Sequence, residues 1–260
     1  MTNSFSPNFQ PNATGDRDRL TVFCDFDGPI VDVSDRYYNT YQLGLERIQT
    51  VYQAQGQTIF AHKLTKEQFW QMKQERVSDI EIAMRSGLQE EQIELFLDCV
   101  RQIVNHPHLL QQDKIQVGVN WALALLHSQG ARLILVTLRC QSQVKEILNN
   151  YGLKRLFSDI YGSQDCNVAY QNNASIKTEL LRQAVARWGK DSAYMVGDTE
   201  ADLIAAKAAG VSSIALTCGI RSALYLQQFQ PDYIHSDLLS TAHHLLGLTK
   251  FIDRLCSVQW

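Results

Sequence analysis

The chain of 260 residues has no Cys-x-x-Cys pair, no run of five or more basic residues and no apolar run long enough to span a membrane. Each absence removes a class of function. The six cysteines (Cys24, Cys99, Cys140, Cys166, Cys218, Cys256) are scattered, several inside apolar runs. Without zinc or redox spacing they are expected to act as small buried hydrophobes in a reducing, cytoplasmic setting. A formal net charge of −3 without a basic cluster gives no reason to expect a nucleic-acid partner. The missing apolar span likewise gives none to expect a membrane one. Residues 1–18 are rich in Asn, Ser, Pro, Gln and Thr with no apolar stretch; they are expected to be a flexible tail, not a signal peptide. No repeat or low-complexity tract interrupts the rest. Contents of 45% hydrophobic and 20% charged residues are those of an ordinary soluble globular protein, and the length allows one domain or two. Oligomeric state leaves no mark in the sequence.

What is present is concentrated at Phe23-Cys24-Asp25-Phe26-Asp27-Gly28-Pro29-Ile30, two carboxylates at the end of an apolar run. Leu20 to Phe26 reads as a buried strand with Gly-Pro punctuation directly after it. A carboxylate ending such a strand is costly to desolvate without a partner. Here there are two, and no Lys or Arg lies between Thr21 and Asp35. A divalent cation that favours hard oxygen ligands, such as Mg²⁺, would satisfy both. Taken alone, the pair is more simply explained by one Asp capping the turn before Gly28 and the other being solvated.

The pattern from Val33 to His108 is helical and strand-free. Ser34 is placed to cap a helix carrying Tyr37, Tyr41, Leu45, Ile48 and Tyr52 on one face. Thr65 with Gln68, and Ser78 with Glu81, have the spacing of capping boxes, and Gly87 would stop the second helix. A further amphipathic helix runs from about Glu90 to Asn105, before His106-Pro107. From Val117 helices and strands alternate. The strands are Arg132 to Thr137, Asp159 to Gly162, Ala193 to Gly197 and Ser212 to Thr217. Between them lie helices at Val117 to Ser128, Ser142 to Tyr151, Ile176 to Trp188 and Glu200 to Ala209, several ending at glycine. Such alternation predicts an α/β fold, a Rossmann-like parallel sheet with helices on both faces. The first strand joins the same sheet, so the helical block is an insertion. The expected division is a tail (1–18), an α/β core (19–32 and 109–248), an inserted all-α cap domain (33–108) and a C-terminal extension (249–260).

Ligands of such folds sit at the carboxyl ends of the strands, and four polar features fall there. Asp25 and Asp27 end the first strand. Thr137, followed by Leu138-Arg139, ends the second. Lys177 stands near the start of a helix, where a cation opposes the macrodipole. Asp198 ends Tyr-Met-Val-Gly, with Asp202 one turn further on. Each has an ordinary structural explanation, such as a capping box between Thr199 and Asp202. All four in order on one sheet edge are harder to explain that way.

Asp25-x-Asp27-Gly28, the strand ending in Thr137, Lys177 and Gly197-Asp198-Thr199-Glu200-Ala201-Asp202 resemble the four motifs of the haloacid dehalogenase (HAD) superfamily. The resemblance covers residues 20 to about 220, and the helical block lies where the phosphoglycolate phosphatase-like branch carries its cap. Two positions depart from the pattern: Pro29 stands where Thr or Val is common, and Leu138-Arg139 follows Thr137 where Asn is common. The resemblance implies a phosphatase acting on a small-molecule phosphomonoester. Asp25 would be the nucleophile that forms an aspartyl-phosphate; Asp27 would protonate the leaving oxygen and then accept a proton from water. Mg²⁺ would be held by the Asp25 carboxylate, the Asp27 carbonyl and Asp198, with Asp202 outside them. Thr137, Leu138, Lys177 and Arg139 would bind the substrate phosphate, with Thr137 and Lys177 also serving catalysis. A phosphomutase with the same core, or a catalytically idle regulatory protein, stays open as an alternative. Lys73, Arg76 and Arg85 of the insertion could reach a substrate, although charged residues on amphipathic helices more often face solvent.

Overall fold

The computed structural model describes residues 19–165 and 168–248. The expected N-terminal tail, Cys166, Cys256 and the C-terminal extension lie outside the described residues. In chain order the elements are β1 (Thr21–Cys24), β2 (Val31–Asp32), α1 (Ser34–Ala54), α2 (Lys66–Gln74), α3 (Asp79–Arg85), α4 (Glu90–Ile103), α5 (Pro107–Leu110), β3 (Lys114–Ile115), α6 (Val119–Ser128), β4 (Arg132–Cys140), α7 (Gln141–Asn150), β5 (Asp159–Ser163), α8 (Val168–Gln171), α9 (Ala174–Trp188), β6 (Ala193–Gly197), α10 (Glu200–Ala209), β7 (Ser212–Leu216), α11 (Ala223–Gln227), β8 (Tyr233–His235) and α12 (Leu238–Leu245). A short 3₁₀ turn occupies Lys154–Leu156. Six strands form one sheet in the order β5-β4-β1-β6-β7-β8, parallel throughout, with helices on both sides. Parallel strands covered on both faces must be apolar along their length, and every residue of β1 and β4 is buried. Beyond Thr217 the sequence predicts no element, yet β8 extends the sheet and α12 packs on α6.

Several boundaries differ from expectation for identifiable reasons. β1 is shorter, because the chain folds into a tight loop after Asp25: the Ile30 and Val31 N–H groups both donate to the Phe26 carbonyl, and Gly28 has φ +96°. That value is unfavourable for any residue with a Cβ. Ser34 is the first residue of α1 and not its cap; Asp32 supplies the cap oxygen by accepting the Ser34 N–H at 2.8 Å. Thr65 and Gln68 form a full capping box, whereas Ser78 accepts from the Glu81 N–H without a reciprocal box at α3. Thr137 does not end its strand, since β4 continues to Cys140 through a register shift against β5. Such an irregularity re-aims side chains at a sheet edge.

The two connections to the insertion run side by side. β2 and β3 pair antiparallel, Val31 with Ile115 and Asp32 with Lys114, so the helices between them leave and return at one place. Within the block α1 packs on α2, α4 and α5. Tyr41 stacks on Phe69 at 5.0 Å and meets Phe96 edge-on at 6.2 Å, geometries that aromatic pairs prefer. The apolar interior of α1–α4 is nonetheless continuous with that beneath the sheet. Cys24, Cys99 and Cys140 are buried. Among the described residues no helix is long and apolar enough to cross a membrane.

Candidate active site

The strand order explains why the four polar features converge. β1 lies between β4 and β6, so the ends carrying Thr137 and Asp198 flank Asp25. The Asp25 N–H donates to the Val196 carbonyl at 2.9 Å, and Oδ1 accepts from the Phe26 N–H at 2.7 Å. Lys177, in α9, is 1% exposed. Its ammonium lies 2.8 Å from Asp25 Oδ1 and 2.7 Å from Asp202 Oδ1. Asn173 caps α9 by accepting the Ser175 and Ile176 N–H groups, which fixes where Lys177 emerges. Asp202 does two jobs at once, completing the capping box with Thr199 through Oδ2 and pairing with Lys177 through Oδ1.

Asp198 is fully buried. Its Oδ2 accepts the Ile220 N–H at 2.6 Å, and its Oδ1 has no hydrogen-bond partner. Asp25, Asp198 and Asp202 each offer a carboxylate oxygen within 4.8 Å of the others. A Cβ at Gly28 or Gly219 would overlap the Asp198 carboxyl, and one at Gly197 would overlap Asp202, so these glycines give the carboxylates their room. Three crowded carboxylates, one with an unpartnered buried oxygen, fit a small hard cation such as Mg²⁺. Burial pushes Asp25 up to about 7 against the pull of Lys177. Burial, with Asp202 and Asp25 adding to it, raises Asp198 as well. Burial opposes the charge on Lys177, but Asp202 and Asp25 more than offset it and hold the ammonium above its usual range.

Asp27 corrects the reading of two unpaired carboxylates at the strand end. Its side chain stands outside the acidic group, and Asp202 takes the third place there. Arg36 Nη2 meets Asp27 Oδ2 at 3.0 Å, and Arg139 Nη1 meets Oδ1 at 2.8 Å. The same two arginines hold Asp113, Arg36 Nε at 2.9 Å and Arg139 Nη1 at 2.6 Å. Burial works against the Asp27 charge, yet Arg139 and Arg36 hold its carboxyl below the usual carboxylate range. No local spacing signals this, since the cations come from α1 and β4. Arg139, expected to face substrate, spends Nη1 on the two carboxylates, while its Nε and Nη2 have no hydrogen-bond partner. Thr137 accepts the Arg139 N–H at 3.2 Å, leaving its hydroxyl proton to donate, and Leu138 lines the same pocket.

The insertion supplies the roof. Lys73 is buried, pairs with Asp79 at 2.9 Å and lies over the Tyr37 and Tyr170 rings at 5.8 and 5.0 Å. Arg76 reaches across to Glu200 at 2.7 Å, and Arg221 Nη1 donates to the Lys73 carbonyl at 2.8 Å. Lys73 and Arg76 both line the pocket, Lys73 buried and Arg76 still open to solvent, whereas Arg85 is exposed and pairs with Glu81. Tyr170, Asp79 and Arg221 were not singled out by the sequence, and Tyr37 was read only as part of an apolar helix face. Under this roof the pocket offers about 50 Å³, enough for a few waters or a group of similar size.

Residues 22–216 match the family model described as haloacid dehalogenase-like hydrolase. The chain is similar to pyrophosphatase PpaX of Halalkalibacterium halodurans, with 31% identity over 50% of this chain and 59% of that protein. It is also similar to phosphoglycolate phosphatase of Aliivibrio fischeri, with 32% identity over 49% of this chain and 55% of the relative. The chain thus spans little more than half the length of these curated relatives. Its fold is that of a haloacid dehalogenase-like family hydrolase of Streptococcus pneumoniae, with a TM-score of 0.64 and 20% identity over 87% of this chain and 98% of the other.

Proposed function

We propose that this chain, which belongs to the haloacid dehalogenase-like hydrolase family, is a Mg²⁺-dependent phosphatase that hydrolyses a small phosphorylated metabolite through an aspartyl-phosphate. The observation that carries the proposal is Asp25, held at the end of the central strand with Lys177 and the Phe26 N–H both on Oδ1. That leaves Oδ2 to attack phosphorus in line with the leaving oxygen. Lys177 and the Thr137 hydroxyl stabilise the charge gathering on the phosphoryl oxygens. A divalent ion bound by Asp25, Asp198 and the Asp27 carbonyl, with Asp202 beside it, would supply further neutralisation of that charge. Hydrolysis of the acyl phosphate restores Asp25, with Asp27 taking the proton of the attacking water.

The ion pairs of Asp27 refine the choice of substrate. A carboxylate held by two guanidiniums is in the right form to accept a proton from water. It is in the wrong form to give one to a leaving alkoxide. Leaving groups that depart as weakly basic anions are therefore favoured over simple alcohols. A phosphomutase needs Asp27 to pass protons in both directions, so the same pairs count against that alternative. The small pocket and the basic roof of Lys73, Arg76 and Arg221 suit a compact anion better than a macromolecule. The test is phosphate release from a panel of phosphorylated metabolites and aryl phosphates with Mg²⁺. Asp25→Asn should lose activity by more than about a thousandfold while remaining folded; turnover of that variant near wild type would refute the proposal.

A further inference from the structure

Asp27, Arg36, Asp113 and Arg139 form a closed ring of alternating charge: Asp27 to Arg36 at 3.0 Å, Arg36 to Asp113 at 2.9 Å, Asp113 to Arg139 at 2.6 Å and Arg139 back to Asp27 at 2.8 Å. The side chains of Arg36 and Arg139 are each 2% exposed and that of Asp113 1%. Buried rings of this kind are seldom kept for stability, because apolar residues of like volume do as well or better. Here the balance is worse than usual, since Arg139 Nε and Nη2 are buried without partners.

The distribution of the four residues suggests another role. Asp27 follows core strand β1, and Arg139 lies near the end of core strand β4. Arg36 lies in the first turn of α1, and Asp113 directly precedes β3, so both stand at the insertion side of the β2–β3 ribbon. Each side holds a complete ion pair, Asp27 with Arg139 and Arg36 with Asp113, and two further bridges cross between them. The ribbon is also fastened to the loop that follows Asp27. The Gln116 N–H donates to the Ile30 carbonyl at 2.9 Å, and its side-chain amide donates to the Gly28 carbonyl at 3.1 Å.

We propose that Arg36 and Asp113 are positioning residues for Asp27: seating of the insertion closes the ring and fixes the Asp27 carboxylate, so that the proton-accepting group is in place only beneath a closed roof. The division of labour follows from the ring itself. If the insertion lifts, neither half is left with an unpaired buried charge, because each keeps its own partner. On seating, Asp27 exchanges one guanidinium for two and loses its freedom to rotate. Asp113 touches no reacting group and acts only through the two arginines. The catalytic part of the proposal rests on the phosphatase reading; the structural part does not.

The test compares wild type with R36M/D113L, which replaces the insertion's own pair by apolar side chains and leaves Asp27–Arg139 intact. Hydrogen exchange of the full chain with Mg²⁺ should be faster in the variant at residues 31–40 and 113–117. Unchanged exchange there would overturn the ring as a clamp, whatever the enzyme's activity. With p-nitrophenyl phosphate, kcat should fall by about tenfold or more while KM changes by less than about threefold. D113E, which keeps the charge, should recover a good part of kcat. A rise in KM at constant kcat, or no recovery in D113E, would overturn the positioning role. Wild type lacking turnover on every phosphorylated compound would instead refute the phosphatase reading, and the exchange comparison would still decide the ring.

Discussion

Lys177→Met isolates the electrostatics of the site. The ammonium is the cation at hydrogen-bond distance from Asp25 and Asp202, at 2.8 and 2.7 Å, and Asp198 lies within the same acidic group. At an effective dielectric of about 20, each contact is worth roughly 6 kcal/mol of gross attraction, most of which offsets the cost of burying the charges. Methionine fills much of the same volume, so little of the loss comes from a cavity. Removing the charge should cost about 3–5 kcal/mol at pH 8 in chelator, the range for breaking a buried pair. The loss must also depend on pH. Asp25, already raised to about 7 with Lys177 present, moves higher without it. A carboxyl raised in the folded state contributes stability that is complete below its unfolded value near 4 and is lost as pH rises through its folded value. Wild type therefore loses this contribution up to about pH 7, and the variant goes on losing it beyond. The gap between the two should be smallest near pH 5 and widen to pH 8. Urea unfolding at several pH values, with slopes compared to confirm two-state behaviour, measures it. A gap that is constant with pH, or under about 1 kcal/mol throughout, would refute the placement of Lys177 as the charge that lets these carboxylates coexist.

Three other outcomes follow from the same geometry. Mg²⁺ should raise the melting temperature more at pH 8 than at pH 5.5, because the ion must displace protons from Asp25 and Asp198, both raised by burial; equal shifts at both pH values would count against binding there. Gly219→Ala places a Cβ on the Asp198 carboxyl and should weaken Mg²⁺ by about tenfold or more in a protein that still folds, as read by titration calorimetry. Across a series of phosphate esters, kcat/KM should fall steeply as the leaving group becomes more basic, since Asp27 is held as a carboxylate; a flat dependence would show that Asp27 donates a proton freely.

The parts of the site that were legible in the sequence are those in which one short segment carries both the residue and its reason. Asp25 follows an apolar strand directly. Asp198 does the same, with Asp202 one helical turn away, so strand period and helix period suffice to bring three carboxylates to one edge. Lys177 could be placed because a cation so early in α9 needs an anion nearby, and Asp25 and Asp202 provide two. The sequence places Thr137 at a strand end; in the structure it lines the same pocket as Asp25, while β4 runs past it to Cys140. A register shift against a neighbouring strand depends on both partners and leaves no local sign.

Arg36 and Asp113 show where such reading stops. Nothing near Arg36 marks it as buried: it follows Ser34 and Asp35 in the first turn of a long helix, where charged residues usually meet water. Its burial is decided by Asp113, 77 positions away, and by Arg139 on another strand. The same holds for the roof, where Lys73, on α2, is held inward by Asp79 and two tyrosine rings, and Arg76, just beyond that helix, reaches Glu200. Asp79 lies only six positions from Lys73, but Asp113 and Glu200 reach Arg36 and Arg76 only through the fold. The residues proposed to hold a metal and a phosphoryl group can be read from strand ends because the core fixes them there. Residues that link the insertion to that chemistry depend on how two sequence-distant surfaces meet, and a substitution among them should alter the coupling before it alters the fold.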